Sequence, residues 1–431
     1  MPHPAQADTS RDHGAAAPSA PVVLPAGGCR PAVLRLDLTA FRNHRTTRIE
    51  AGPAPVVLSG GNGAGKTNVL EALSFLAPGR GLRRARLGEI DCRDGGRPWA
   101  VSAEVDTGHG RVRIGTGRDG MGRDGPGRDG PGRDGLGRDG LGRDDLGEGG
   151  ADTGSERRLL RIDGAPARSQ QALAEQLAVV WLTPEHDRLF ADGASARRRF
   201  LDRLVASYDP EHVGRAAAYE HGLRERSRLL QGQRRDDRWL DALEQRLAAE
   251  GIAIVDARAH LIARLAGALD DGVGPFLAPQ LAVSGVLESW LSAAPALIVE
   301  DRFRDALAAA RQRDAAHGGA EVGPHRSDLV AHHRRTGAEA RQCSTGEQKA
   351  MVIALVLAHA RMIAADCGTP PLLLLDEAAA HLDHDRRAAL FDELFALNVQ
   401  AWMTGADRAL FAGLGDRAQF YSVRDGHVTP D

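Results

Sequence analysis

Apolar residues change their spacing several times along this chain, and each change marks a different kind of structure. From Ala32 to Leu38 they alternate with polar residues, which predicts a strand, and strand-like runs recur over Thr47 to Leu58, Trp99 to Val105, Val112 to Ile114 and Leu159 to Ile162. Between the second and third of these runs, Val69, Leu70, Leu73 and Leu76 return at helical spacing and predict a helix over Asn68 to Ala77, stopped by Pro78-Gly79. Val179 to Thr183 reads as one more short strand. From about Ala194 to Arg311 the chain is rich in alanine and arginine, helical in period and poor in strand formers, so it predicts helices such as Trp239 to Ala248 and Ile252 to Leu269 in antiparallel arrangement. No heptad repeat persists over several turns, which excludes a long coiled-coil arm. Gln348 to Ala365 is a strongly apolar helix ended by Gly368 and Pro370-Pro371, and Leu372 to Leu375 is an unbroken apolar run of the kind found in a central parallel strand. The pattern as a whole predicts an α/β fold, a sheet covered by helices on both faces, with a mainly helical second lobe inserted.

These shifts place boundaries. Residues 1–30 read as a disordered extension, 31–193 and 312–431 as two parts of one α/β lobe, and 194–311 as the helical lobe. Between the strands at Val112 and Leu159 a Gly-Arg-Asp-Gly-x unit repeats five times from Gly117 to Leu141, followed by a degenerate copy to Leu146. Its alternating charges and glycines leave almost nothing to bury, so residues 116–150 are expected to be a disordered insertion in a hairpin loop. Calcium-binding solenoids repeat every nine residues, not five, and the aspartates offset most of the charge that would draw nucleic acid to the arginines.

Composition narrows the field. With 431 residues and 42% hydrophobic content the chain can bury a large core. Its 55 basic and 58 acidic side chains give a net charge of -3, so any nucleic-acid contact must use a local patch. Cys29, Cys92, Cys343 and Cys367 lack metal-ligand spacing and suit reduced thiols, and His325, His332 and His333 fit no standard metal site. Met1 to Ala26 has no basic segment followed by an apolar core, and no stretch reaches the roughly 18 uninterrupted apolar residues of a membrane span. A cytoplasmic location without a membrane partner is expected.

The sharpest chemical signal is Gly60-Gly61-Asn62-Gly63-Ala64-Gly65-Lys66-Thr67, which fits G-x-x-x-x-G-K-[ST] between an apolar run and a helix. Glycines let successive N–H groups curl toward a phosphate, and the helix that follows directs its positive end to the same place. Lys66 can then reach the terminal phosphates of a nucleoside triphosphate, and Thr67 can ligand Mg²⁺. Asp376 and Glu377 end an apolar strand, where ligands bind in open α/β sheets. Asp376 can hold the metal and Glu377 can deprotonate an attacking water, although the pair alone also suits a helix cap or a salt bridge. Ser344-Thr345-Gly346-Glu347 just before a helix is a capping box, and the same capped end can offer its remaining N–H groups to an anion.

Read together, several segments resemble the RecF family of bacterial recombination mediators: Phe41-Arg42-Asn43, Gly-Lys-Thr-Asn at 65 to 68, Ala196 to Asp202, Gly323 to Leu329, the Ser344-x-Gly346-Glu347 segment and Leu375-Asp376-Glu377, in order from about Pro31 to Gly426. The resemblance implies an ABC-type P-loop ATPase head related to SMC proteins but without their coiled coil. In such a head ATP is sandwiched in a homodimer between one protomer's phosphate loop, with Arg42, Asn43 and Asn68 beside it, and the other's signature, Ser344, Gly346 and Glu347. Lys66 and Thr67 would bind phosphate and Mg²⁺, Asp376 the metal, Glu377 would be the base, and Asp383 would lie on the loop crossing the dimer interface. It also implies weak, DNA-stimulated ATPase activity, binding to duplex DNA beside single-stranded gaps, and work with RecO and RecR in loading RecA.

Some positions depart from that pattern. Thr404-Gly405 stands where many ABC ATPases carry a γ-phosphate-sensing histidine, and no glutamine can be placed in the loop that usually joins the lobes. For DNA, residues 188–238 hold 12 arginines and 8 acidic residues, and Arg197, Arg198, Arg199 and Arg203 are the candidate contacts, with Arg198 or Arg199 alternatively pairing with Asp202. The other reading the motifs allow is the ATPase subunit of an ABC transporter.

Overall fold

The computed structural model describes residues 30–92, 96–119, 157–232, 236–380 and 382–431. The Leu372–Leu375 strand is an interior strand, next to the edge, of a six-stranded sheet whose order runs His427–Pro430, Gln419–Arg424, Val56–Ser59, Ala401–Gly405, Leu372–Leu375, Val179–Leu182. All are parallel except the first, an edge strand joined to its neighbour by a hairpin. The unbroken apolar run follows from this placement, because both faces of the sheet are covered. Leu372 and Leu374 pack with Trp181, Trp402 and the Lys66–Ser74 helix in one core, and Leu373 and Leu375 pack with Val180, Met403 and the Thr345–Cys367 helix in another. The two helices therefore cover opposite faces.

A second, antiparallel sheet closes over the Lys66–Ser74 side, in the order His44–Glu50, Ala32–Phe41, Ala100–Asp106, Arg111–Arg118, Arg158–Ile162, Ala165–Pro166. Between it and the helix Phe41 packs edge to face on Phe75 and on Trp99, and Phe75 and Trp99 meet at a tilt. The Arg111–Arg118 strand runs past the boundary set at 116, with Gly117 paired to Ala100 and Leu159. Most of the repeat, the bulk of the N-terminal extension and His381 lie outside the described residues.

The helical lobe consists of Ala194–Tyr208, Glu211–Gln231, Asp237–Asp270, Val286–Leu291 and Ala296–His317, with a two-stranded antiparallel sheet of Pro279–Ser284 and Asp328–His333, whose strands are joined through the last two helices. Here the structure corrects the sequence reading: the two helices expected at Trp239 and Ile252 are one helix of 34 residues. Glu250-Gly251 looks like a break, yet Gly251 is buried in mid-helix because a Cβ there would meet the Phe303 ring at 2.7 Å. Missing side-chain volume at that point serves close packing of two helices, not a turn. The Ala296–His317 helix also extends beyond the expected end at Arg311. Within the lobe, buried Arg226 donates to Glu244 at 2.8 Å and Asp314 at 2.6 Å, and Arg311 bonds the same Glu244, so each buried charge has a partner.

Among the described residues the Thr345–Cys367 helix is the one long and apolar enough to cross a membrane, and 78% of its most apolar window is buried within the fold.

Candidate nucleotide-binding site

The loop Gly60 to Gly65 leaves the Val56–Ser59 strand at its carboxyl end and leads directly into the Lys66–Ser74 helix. Gly61, Asn62 and Gly63 are exposed, whereas Lys66 is buried. Its Nζ donates to the carbonyls of Gly60 at 2.7 Å and Gly61 at 2.9 Å, which holds the ammonium inside the curl of the loop. Burial lowers its pKa from the ordinary value, and the carboxylates of Glu377 and Asp376 act in the opposite direction. Thr67 Oγ1 donates to Asp376 Oδ1 at 2.9 Å, so two residues 309 positions apart meet beyond the ends of strands that flank Ala401–Gly405.

Thr404 completes this arrangement. Its hydroxyl donates to the same Asp376 Oδ1 at 2.7 Å and accepts from the backbone N–H of Glu377 at 2.9 Å. Glu377 itself adopts a φ of 51°, an unusual backbone conformation for a residue with a side chain, and its N–H is tied down at that point. The residue left unassigned by sequence therefore touches both carboxylate-bearing residues. Beside them, the edge strand Val179–Leu182 ends in Thr183-Pro184-Glu185-His186-Asp187, where Glu185 is exposed and no glutamine occurs. Lys349 joins this turn to the segment after Glu377, donating to Asp187 at 3.3 Å and to the Ala380 carbonyl at 3.1 Å.

The loop is also held by residues that no sequence motif marks. Buried His44 reaches the carbonyls of Gly426 at 2.8 Å and Gly65 at 3.1 Å, and Thr47 bonds Gly426 as well. Gly426 N–H donates to the Ala64 carbonyl at 3.0 Å, and a Cβ there would lie 2.2 Å from the Asn43 carbonyl, so only glycine allows this approach. An Asp-Gly pair between two strand-like runs is a hairpin signal and marks the turn in sequence, but nothing marks its contact with a loop some 360 residues earlier. Asn43 donates to the Ala64 carbonyl at 3.0 Å and accepts from Asn68 at 2.7 Å. Arg42 is bound by Glu71 at 2.6 and 2.9 Å and by the Glu89 carbonyl at 2.9 Å, so its guanidinium braces the helix at the rim. A polar cavity of about 700 Å³, lined by residues that include Arg42, Asn43, Asn68, Asp425 and His427, adjoins the loop.

Ser344 caps the Thr345–Cys367 helix in a capping box: its Oγ accepts from Glu347 N–H at 3.3 Å, and Glu347 Oε2 accepts from Ser344 N–H at 2.9 Å. These bonds hold the Glu347 carboxyl below its ordinary pKa. Ser344, Thr345 and Gly346 are exposed, and space is open around Gly346. They belong to the helix on the face opposite the phosphate loop, so the fold brings Lys66, Thr67, Asp376 and Glu377 together and leaves the serine-glycine corner apart from them. Asp383 is exposed and caps the His384–Ala396 helix through Arg386 N–H at 2.8 Å.

The arginine candidates need correction. Arg197 is paired through both its Nε and Nη2 with Asp328, at 2.8 and 2.7 Å, and Arg198 donates to the Ser327 carbonyl at 2.7 Å. Arg203 lies under the surface, over the Trp181 and Phe200 rings, with burial lowering its pKa to about 9. Arg199 alone of the four is exposed. Asp202 is held by Arg258, at 2.8 Å to each oxygen, and by His212 at 3.1 Å, not by Arg198 or Arg199. Arg258 also donates to the Pro324 carbonyl, and His325 meets the Tyr219 hydroxyl at 2.8 Å. The Arg-Arg-Phe-Leu-Asp and Gly-Pro-His-Arg segments thus tie the helices of this lobe to one another and to the strand that begins at Asp328.

Comparison with known proteins places this geometry. The chain is 48% identical over 400 residues to the DNA replication and repair protein RecF of Mesorhizobium japonicum, covering 92% of this chain and 97% of the relative. It is 45% identical over 397 residues to the protein of the same name from Allorhizobium ampelinum, covering 92% and 98%. A solved structure of the recombination mediator protein RecF with ATP superimposes with a TM-score of 0.75 over 94% of this chain and 99% of the other, at 19% identity. No protein-family model matches the chain.

Proposed function

This chain belongs to the RecF family of DNA replication and repair proteins, and from that premise we propose that it is an ATP-gated DNA-binding protein of recombinational repair and replication restart. Two copies sandwich ATP, each supplying its phosphate loop to one nucleotide and its exposed Ser344-Gly346 corner to the other. The observation that carries this reading is the separation within one chain: Lys66, Thr67 and Asp376 converge on one side of the sheet, while the capped helix start lies on the other face and stays open. A contact that one fold cannot make with itself is available to a second copy, so nucleotide shifts a monomer-dimer equilibrium.

In this reading the backbone N–H groups of the loop and Lys66 bind the phosphates, and the adjoining polar cavity takes the nucleoside. The Thr67 hydroxyl and the Asp376 carboxylate are hard oxygen donors side by side, a fit for Mg²⁺, which supplies charge neutralisation at the phosphates when bound. Glu377 takes a proton from water as that water attacks the terminal phosphorus and ADP leaves, which resets the dimer. Duplex DNA beside single-stranded gaps is the substrate surface, with RecO, RecR and RecA the partners and the cytoplasm the place of action. The relatives compared are named for DNA replication and repair, which favours this reading over a transporter subunit.

The test is a titration of gapped duplex DNA with and without ATP. ATP is expected to tighten binding, and Lys66→Ala to remove that tightening. Identical responses of the two proteins to ATP would refute the proposal.

A further inference from the structure

Behind the phosphate-loop helix lies a segment that the motifs do not absorb: Arg80-Gly81-Leu82-Arg83-Arg84-Ala85-Arg86, four arginines in seven residues. All four are exposed, and so is Arg199 on the first helix of the helical lobe. The segment is firmly anchored. Leu82 N–H donates to Ser74 Oγ at 2.7 Å, Gly79 N–H to Gln170 Oε1 at 2.7 Å, and half-buried Arg158 holds the Gly79 carbonyl at 2.7 Å. Arg83 donates to Asn68 at 2.6 Å and to Glu71 at 3.2 Å, and Asn68 reaches the phosphate loop through Asn43. Its arginines are therefore presented by a scaffold continuous with the nucleotide site.

These cations crowd one another. Among the described residues no hydrogen bond or ion pair engages the Arg84 guanidinium, and the residue is held at a φ of 55°. Partial burial of this exposed residue and the neighbouring Arg199 and Arg80 lower its pKa, and burial and Arg84 lower that of Arg203 to about 9. Glu220 acts on Arg84 and Glu185 on Arg203, while Glu71 pairs with Arg83 and Glu89 accepts from the Arg86 N–H. Crowded guanidiniums raise one another's energy, and an anion that lies across them relieves the repulsion. Arg84 and Arg199 come from different lobes, so the group forms a seam and not a single helix face.

We propose that Arg80, Arg84 and Arg86 of this segment, together with Arg199 across the lobe seam, form a docking surface for the phosphate backbone of duplex DNA. Guanidiniums suit this occupant because each can hold a phosphate through paired N–H donors, and a row spread over two elements matches an extended polyanion better than one small ligand. The inference rests on the DNA-binding reading above and supplies its surface.

The experiment compares the full-length protein with an Arg84→Gln/Arg199→Gln variant, and separately with Arg80→Gln/Arg86→Gln, in duplex titrations with ATP over a range of salt. At least a tenfold loss of affinity per double substitution is expected, equal across DNA sequences, with the salt slope reduced by about 0.9 for each phosphate no longer neutralised. Sedimentation with ATP and thermal melting of the same variants separate weakened DNA binding from a failure to dimerise or to fold. Unchanged duplex affinity and salt slope overturn the inference and assign the patch to some other acidic partner. Loss of DNA binding together with loss of the ATP-dependent dimer also overturns it. Failure of the unaltered protein to bind duplex with ATP would instead overturn the functional reading itself, so the two failures are distinct.

Discussion

Thr404 donates its hydroxyl hydrogen to Asp376 at 2.7 Å and accepts the backbone N–H of Glu377 at 2.9 Å, joining the two acidic residues at the end of the Leu372–Leu375 strand. One hydroxyl thereby sets the orientation of one carboxylate and the backbone of the next. The bridging group is a neutral hydroxyl that both donates and accepts.

If that bridge positions Glu377, Thr404→Val should slow ATP hydrolysis at least tenfold, about 1.4 kcal/mol at the barrier, while ATP affinity changes little. Thr404→Ser should retain the rate. Single-turnover hydrolysis and nucleotide titration make the comparison, and equal rates for the valine variant and the parent would exclude the role.

Glu377→Gln keeps the shape of the side chain and removes the carboxylate proposed as the base. ATP binding is expected to persist and the dimer to accumulate, because closure no longer ends in hydrolysis. Sedimentation with ATP and Mg²⁺ that shows monomer alone would count against the scheme.

Gly251 packs against Phe303 with no room for a Cβ, the nearest ring atom lying 2.7 Å from where one would stand. Gly251→Val is expected to destabilise the protein by about 1–3 kcal/mol through overpacking, despite the better helix propensity of valine. Urea denaturation measures it, and the double variant with Phe303→Leu should recover part of the loss.

His44, His186 and His359 are buried, and burial depresses the pKa of each below the ordinary 6.5, that of His359 to about 3. Below pH 6.5 the unfolded chain takes up protons that the folded chain refuses, so stability is full above that pH and falls as the solution is acidified. Each such histidine contributes a slope of up to roughly 1.4 kcal/mol per pH unit in this window. Asp202, lowered to about 2, acts in a lower window, because its stabilisation is lost only as pH falls below the ordinary carboxylate value. Denaturation at pH 7, 6 and 5 should show the decline, and His359→Leu should reduce its slope by roughly one proton. A flat profile would be inconsistent with neutral buried histidines.

The chain's local pattern was enough to mark the phosphate loop, the capped helix start and the apolar strand beside them. A phosphate loop is a contiguous device: the residues that curl around an anion and the helix that follows are neighbours in sequence, so Gly60 to Thr67 is legible without any tertiary information. The same holds for the Ser344 capping box and for Leu372–Leu375, whose apolar run reflects burial on both sides of a sheet. What the tertiary structure alone decided is everything that depends on distant residues meeting. Thr404 gains its position from two parallel strands lying side by side, and His44 and Gly426 from a hairpin tip that closes on the loop. Packing also overrode local signals, since Gly251 reads as a helix stop but serves Phe303, and Arg197 and Arg203 read as surface cations but are consumed by Asp328 and by two aromatic rings. Periodicity and turn chemistry act over a few residues and are written in order along the chain. The partner of a charged or small side chain is chosen by the fold, and a single sequence does not contain that choice in readable form.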